Sequence, residues 1–210
     1  MSRRHADALD RLWPVFGVPV ATGPTVPLDA ELLFGRRTAV VLEIGSGMGE
    51  ATAAMAAADP ARGYLAVEVH TPGIGNLLAL VAERGLSNVR VALGDAMDLV
   101  RYQLAPGSLD ALHIFFPDPW PKARHHKRRL IQPAHLRLLG SRLVSGGTLH
   151  CATDWPEYAE EMLATLNADP ALRNTHDGFA PRPADRPETK FERRAVAAGR
   201  PIADLIFHRR

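Results

Sequence analysis

Short apolar runs recur along the chain, each bounded by polar or turn-forming residues: Val40 to Ile44, Tyr64 to Val69, Val89 to Ala92, Ala111 to Phe116 and Thr148 to Thr153. Runs of this length rich in branched and aromatic residues predict buried strands. Between them the apolar positions take helical spacing, over Glu50 to Ala58, Ile74 to Arg84, Ala96 to Tyr102 and Pro133 to Val144. Strands alternating with helices predict βαβ units, hence a parallel sheet covered by helices on both faces and joined by right-handed crossovers. The punctuation agrees with this. Pro133 suits a first helical position, Gly146-Gly147 a helix end, and Asp154-Trp155-Pro156 a cap and first turn before a helix over Glu157 to Asn167. Ile202 to Phe207 predicts one more strand. The segment Arg173 to Pro187 ahead of it is rich in Pro, Asp and Arg, shows no periodicity, and reads as a loop that orders on binding.

With 210 residues, 46% hydrophobic and 23% charged, the chain can bury one sizeable core, and one domain over 1–210 is the expectation. Cys151 is the only cysteine and lies in an apolar run, so it supplies neither a disulfide within the chain nor a cysteine metal site. No apolar run approaches the ~18 residues of a membrane span, and no apolar signal core follows the N-terminus. A soluble, cytoplasmic protein is expected.

The net charge of +2 says little, but its distribution says more. From Pro119 to Thr153 there is no Asp or Glu, while Lys122, Arg124, Lys127, Arg128, Arg129, Arg137 and Arg142 fall there with His125 and His126. A solvated helix face would mix in acids to gain i,i+4 pairs. The segment therefore reads as a surface for a polyanion. Directly before it, Phe115-Phe116-Pro117-Asp118-Pro119-Trp120-Pro121-Lys122 places one carboxylate between two prolines at a strand's C-terminal edge. The adjacent histidines point different ways and lack a spaced third ligand, so no metal is assigned to them.

Val41 to Glu50 reads as a strand entering a Gly-x-Gly-x-Gly turn, Gly45, Gly47 and Gly49, and then a helix. Such a turn lets a ligand approach the backbone at the strand's carboxyl end. The third glycine comes one residue early for a dinucleotide fingerprint, and the Gly-Lys-Ser/Thr ending of a phosphate loop is missing. Glu43 at the strand end would repel phosphate and attract a cation. S-adenosylmethionine carries a sulfonium and an ammonium and no phosphate. Glu68, near the next strand's end, can accept ribose hydroxyls, and Asp95 after the third can accept from an adenine amino group. Three acids at successive strand ends beside a glycine turn point to a nucleoside site.

The series Glu-Ile-Gly-Ser-Gly-Met-Gly, Glu-Val-His-Thr-Pro-Gly-Ile-Gly, Gly-Asp-Ala, Phe-Phe-Pro-Asp-Pro-Trp-Pro-Lys, Ala-Thr-Asp-Trp-Pro-Glu-Tyr-Ala and Arg-Pro-Glu-Thr-Lys-Phe-Glu-Arg-Arg resembles the bacterial tRNA (guanine-N7-)-methyltransferases, in order from about Leu9 to the C-terminus. The glycine turn alone would indicate only a methyltransferase; the Asp118 block and Thr189-Lys190-Phe191-Glu192 narrow it. The resemblance implies an α/β, class I S-adenosylmethionine-dependent methyltransferase (Rossmann-like) fold with a mostly parallel seven-stranded sheet. It implies residues 1–38 packing on that domain and 173–194 facing the substrate. Glu43, Gly45, Gly47, Gly49, Glu68, Asp95, Ala96 and Asp118 would line the cofactor side. Lys122, Asp154, Thr189, Lys190, Phe191 and Glu192 would meet tRNA, and the product would be 7-methylguanosine at guanine 46 of the variable loop. A monomer or homodimer without an obligatory protein partner is expected. Relatives often carry a basic N-terminal extension where this chain has Met1 to Ala8, and some carry His where it has Pro121.

Guanine N7 has a lone pair and no proton, so positioning and charge carry the reaction, and Asp118 is the candidate orienting carboxylate, with Asp154 and Glu192 competing. Lys122, Lys190, Arg193 and Arg194 suit phosphates, and Trp120 or Phe191 an exposed base. Adenine amino-group methyltransferases use an Asp/Asn-Pro-Pro-aromatic turn, and Asp118-Pro119-Trp120 is one proline short of it. A small-molecule enzyme would have no use for the acid-free block. An inactive RNA-binding subunit would have no use for an intact glycine turn.

Overall fold

In the computed structural model, which describes residues 1–210, the apolar runs form the middle of one eight-stranded sheet. The strands are β1 (Gly17–Pro19), β2 (Val40–Ile44), β3 (Gly63–Glu68), β4 (Val89–Leu93), β5 (Leu109–Phe115), β6 (Leu143–Thr153), β7 (Leu172–Asn174) and β8 (Ala203–Arg209). Their order is β1-β4-β3-β2-β5-β6-β8-β7, parallel except that β8 runs antiparallel to β6 and β7. The eighth strand is β1, a three-residue edge on β4, too short to register as an apolar run. The helices are α1 (Arg3–Phe16), α2 (Ala30–Phe34), α3 (Glu50–Ala58), α4 (Thr71–Glu83), α5 (Ala96–Tyr102), α6 (Pro133–Arg142), α7 (Pro156–Asn167) and α8 (Lys190–Ala197). A 3-10 helix covers Ala123–Arg128. No helix is long and apolar enough to cross a membrane.

All five residues of β2 are buried because the sheet has a core on each face. Val40, Leu42 and Ile44 enter one core with Leu112, Ile114 and Leu149, while Val41 enters the other with Ala66, Val91 and Leu77. That period of two is the signature of a doubly covered strand. From β2 the chain builds β3 and β4 on one side and β5 and β6 on the other. The β2/β5 boundary is therefore the topological switch point, where crossovers diverge and open a crevice at the strands' carboxyl ends.

The N-terminal segment packs on this frame through α1 against α4. Ser2 caps α1, its hydroxyl accepting from the His5 amide at 3.2 Å, and Gly75 of α4 lets the helices close, since a Cβ there would crowd the His5 carbonyl.

Three local expectations change. The helix before β6 ends at Arg142, because Leu143 is already extended and pairs with Leu109; Gly146 (φ 78°) and Gly147 form an irregular start to β6 instead of a helix end. Asp154 caps nothing, because its carboxylate is engaged by Arg200 at 2.8 Å, and Trp155 holds the cap position without a side-chain bond. The stretch 173–187 is fastened by the chain itself: the Ala180 amide donates to the Asp204 carbonyl at 2.8 Å, and Arg186 is buried.

Candidate active site

The crevice holds a cavity of about 480 Å³ bounded by the ends of β2 and β3, the start of α5, and the turn after β5. Gly45, Gly47, Glu68, Asp95, Ala96, Asp118 and Phe191 line it together with Phe115, Phe116, Trp120, Arg128 and Met97. The glycine turn is left-handed at all three glycines, with φ of 76°, 57° and 74° at Gly45, Gly47 and Gly49. Any other residue would be strained there. A Cβ on Gly45 or Gly47 would point into open space at the cavity, whereas one on Gly49 would collide with Leu77. Gly49 therefore serves helix packing, and the other two leave backbone open to a ligand.

Glu68 is pinned by three backbone donors: Gly47 N at 2.8 Å on Oε2, and Val69 N at 2.7 Å and His70 N at 2.9 Å on Oε1. It fixes the glycine turn and still presents Oε2 lone-pair capacity to the cavity. Asp95 caps α5, with Oδ1 accepting from Met97 N at 2.7 Å and Asp98 N at 3.2 Å, which leaves Oδ2 without a partner in the chain. Glu43 lies deeper, against a small adjoining cavity shared with Thr189, Lys190 and Phe191. Burial pushes its carboxyl up to about 7; the Thr52 hydroxyl donating to it pulls it down, and the Glu68 charge adds to the rise. The donor set suits S-adenosylmethionine. It combines open glycines, acids for hydroxyl and amino groups, and no basic cradle for phosphates at the glycine turn.

Strand β5 ends one residue before its prolines, because Phe116 turns left-handed at φ 52°, and Trp120 does the same at 45°. Between those two bends Asp118 stands exposed with no hydrogen bond to the chain, facing the cavity. Non-glycine residues hold such angles only where the surroundings impose them. Here the Phe116 amide donates to the Ala152 carbonyl at 2.7 Å, and Arg129 Nε donates to the Pro119 carbonyl at 2.8 Å.

Arg129 thus leaves the basic surface. It is fully buried, paired with Glu161 and with Glu157 at 3.3 Å, and stacked 4.7 Å from the Tyr158 ring centroid. His126, Glu157 and Glu161 also come together, but both carboxylates are taken by Arg129. Arg142 likewise turns inward, donating to the Val100 carbonyl at 2.9 Å. Lys122, Arg124, Lys127, Arg128 and Arg137 remain exposed. Arg128 lies 4.9 Å from the Trp120 ring centroid at the cavity rim.

The remaining candidates divide. Phe191 lines the cavity and stacks on Phe116, with centroids 6.4 Å apart, and Lys190 Nζ lies 5.2 Å from the Phe191 ring centroid. Thr189 caps α8, its hydroxyl accepting from Glu192 N at 3.1 Å. Glu192 does not line the cavity: it is buried and bound by Arg182 and Arg186, so its carboxylate is not presented to a base edge. Burial alone would raise its carboxyl, but the hydrogen bonds from Arg182 and Arg186 hold it below the ordinary value. Asp154 is occupied by Arg200, and Lys122 stands outside the cavity on the exposed approach. Nothing in the sequence shows that Arg129 and Arg186 turn inward beside this site, or that Phe116 and Trp120 hold left-handed backbone there.

Residues 37–205 match a family model described as "Putative methyltransferase". The chain is 56% identical over 207 residues to the tRNA (guanine-N(7)-)-methyltransferase of Streptomyces avermitilis, covering 98% of this chain and 70% of that protein. It is 56% identical over 205 residues to the protein of the same name from Halorhodospira halophila, covering 97% and 88%. Among solved structures, the 16S rRNA methyltransferase KamB superposes with a TM-score of 0.66 at 19% identity, covering 91% of this chain and 98% of that one. TrmN from Thermus thermophilus gives 0.59 at 17% identity, covering 100% and 53%. These two likenesses concern the fold.

Proposed function

The chain is a member of the tRNA (guanine-N(7)-)-methyltransferase family, and on that premise we propose that it methylates N7 of a guanine in tRNA, at position 46 of the variable loop, with S-adenosylmethionine as donor. One observation carries the reading: a single cavity is walled on one side by the glycine turn, Glu68 and Asp95, and on the other by Asp118, Trp120 and Arg128 at the edge of a basic surface. A nucleoside half-site and a polyanion half-site therefore meet at one carboxylate.

When bound, S-adenosylmethionine supplies a methyl group on a cationic sulfur. Glu68 and Asp95 orient its nucleoside, and Glu43 favours its positive charge from beneath the turn. Guanine N7 has no proton to lose, so no side chain is needed as a base. Asp118 accepts from the guanine N1–H and amino edge and stabilises the positive charge that develops on the purine. Holding the base in line is worth on the order of 7–11 kcal/mol in favourable cases. Phe191 and Trp120 are the stacking surfaces, and exposed Lys122, Lys127 and Arg128 hold phosphates. Mapping the modified atom on bulk tRNA incubated with the protein and methyl-labelled S-adenosylmethionine tests this. Label on a guanine amino group or on an adenine would refute it.

A further inference from the structure

Arg186 sits in the irregular segment ahead of α8, yet it is 2% exposed. Its guanidinium reaches Glu192 of α8 at 2.7 and 3.1 Å and Asp204 of β8 at 2.8 and 3.1 Å. Asp204 in turn meets His150 Nε2 of β6 at 2.7 Å. The same guanidinium lies 5.9 Å from the Phe115 ring centroid and 5.8 Å from that of Phe116. One side chain therefore ties the reversed strand, the helix that presents Phe191, and the left-handed residue two positions before Asp118. A buried ion cluster is weak as a source of stability, because desolvation cancels most of the attraction. Its planar fork does fix orientation, and two of the three elements it orients, α8 with Phe191 and the turn after β5 with Phe116 and Asp118, line the substrate side of the cavity, while β8 anchors them from behind.

We propose that Arg186 is a positioning residue for methyl transfer, setting Phe116, and with it Asp118, against Phe191, and that Glu192 acts as its counter-ion. This rests on the function proposed above. It moves Glu192 from base recognition to the support of the wall that meets the base.

The test compares full-length wild type, Arg186→Lys, Glu192→Gln and the double variant. Calorimetry reads the S-adenosylmethionine dissociation constant, and single-turnover methyl transfer to tRNA is read at saturating enzyme and donor. Lysine keeps the charge but cannot bridge two carboxylates in a plane. Arg186→Lys is expected to hold donor affinity within about threefold, since the glycine turn, Glu68 and Asp95 stand on other strands, while the single-turnover rate falls at least about tenfold. The double variant is expected to be about as slow as the slower single, because both changes break one contact. A merely structural residue would lower the folded fraction and leave the rate of the folded, saturated enzyme unchanged. A wild-type rate in Arg186→Lys, or losses that multiply in the double variant, would overturn the proposal. Should Arg186→Lys fail to fold, Glu192→Gln decides alone, and a wild-type rate in it overturns the proposal. A wild-type protein that binds S-adenosylmethionine but leaves tRNA unmethylated would count against the function itself, a result distinct from any of these.

Discussion

Arg129 Nε donates to the Pro119 carbonyl at 2.8 Å, so a residue of the basic segment, withdrawn into the interior, holds the turn that carries Asp118. Its other nitrogens meet Glu157 and Glu161 on α7. Arg129→Met is expected to cost about 1–3 kcal/mol, the scale of lost charge-assisted bonds, because the two partly exposed glutamates can rehydrate. Lys127→Met, two residues away and exposed, is expected to change stability by less than about 0.5 kcal/mol. Urea denaturation of both variants checks the contrast.

The exposed part of the basic segment is expected to make tRNA binding fall steeply with salt. Lys122→Ala and Arg128→Ala should each flatten the slope of log K against log salt by up to about one unit. Arg142→Ala should not, since that guanidinium is bound to the Val100 carbonyl. Filter binding across a salt series separates these, and equal slopes for all three would contradict the assignment.

Glu68→Ala removes the acceptor of the Gly47, Val69 and His70 amides. Losing bonds to a charged acceptor is expected to weaken S-adenosylmethionine binding by at least about 1.5–3 kcal/mol, roughly tenfold or more. Glu68→Gln keeps the shape and should lose less. Calorimetry on both variants gives the ordering.

Glu43, raised to about 7 by burial, is largely protonated below neutrality in the free protein. A cationic ligand favours its ionised form, so binding should release a proton, and affinity for S-adenosylmethionine should fall as pH drops from 8 to 6, at most about tenfold per unit. Stability moves the other way. The folded value lies above the unfolded one, so the contribution of Glu43 is present below about 4.5 and lost as pH rises through about 7. Glu43→Gln should remove the pH dependence of binding, and titrations in buffers of different ionisation enthalpy measure the released proton.

The βαβ frame was legible because strands buried on both faces read as near-continuous apolar runs, β2 being interrupted only by Glu43, and the glycine turn because its φ angles admit little else. Asp118 was legible from the prolines around it. What stayed hidden was that the charged Arg129, Arg186 and Glu192 bury, since an ion pair leaves no local pattern, whether its partner is 32 residues away, as Glu161 is from Arg129, or 6, as Glu192 is from Arg186. Gly146-Gly147 misled for the related reason that a glycine pair serves a strand irregularity as well as a helix end. The short strands β1 and β7 owe their conformation to neighbours, β4 and β8, rather than to their own residues.

Asp118→Asn removes the charge with little change of shape, and so tests whether this carboxylate stabilises a guanine methylated at N7. Single-turnover transfer is measured on a tRNA bearing guanine at variable-loop position 46 and on the same tRNA with 7-deazaguanine there. The Asn variant is expected to be at least about tenfold slower, about 1.4 kcal/mol, on the guanine substrate, with tRNA affinity little changed and no rescue by raised pH, while the deaza substrate takes no methyl group from either protein. Full activity in Asp118→Asn, or methylation of the deaza substrate, would contradict it.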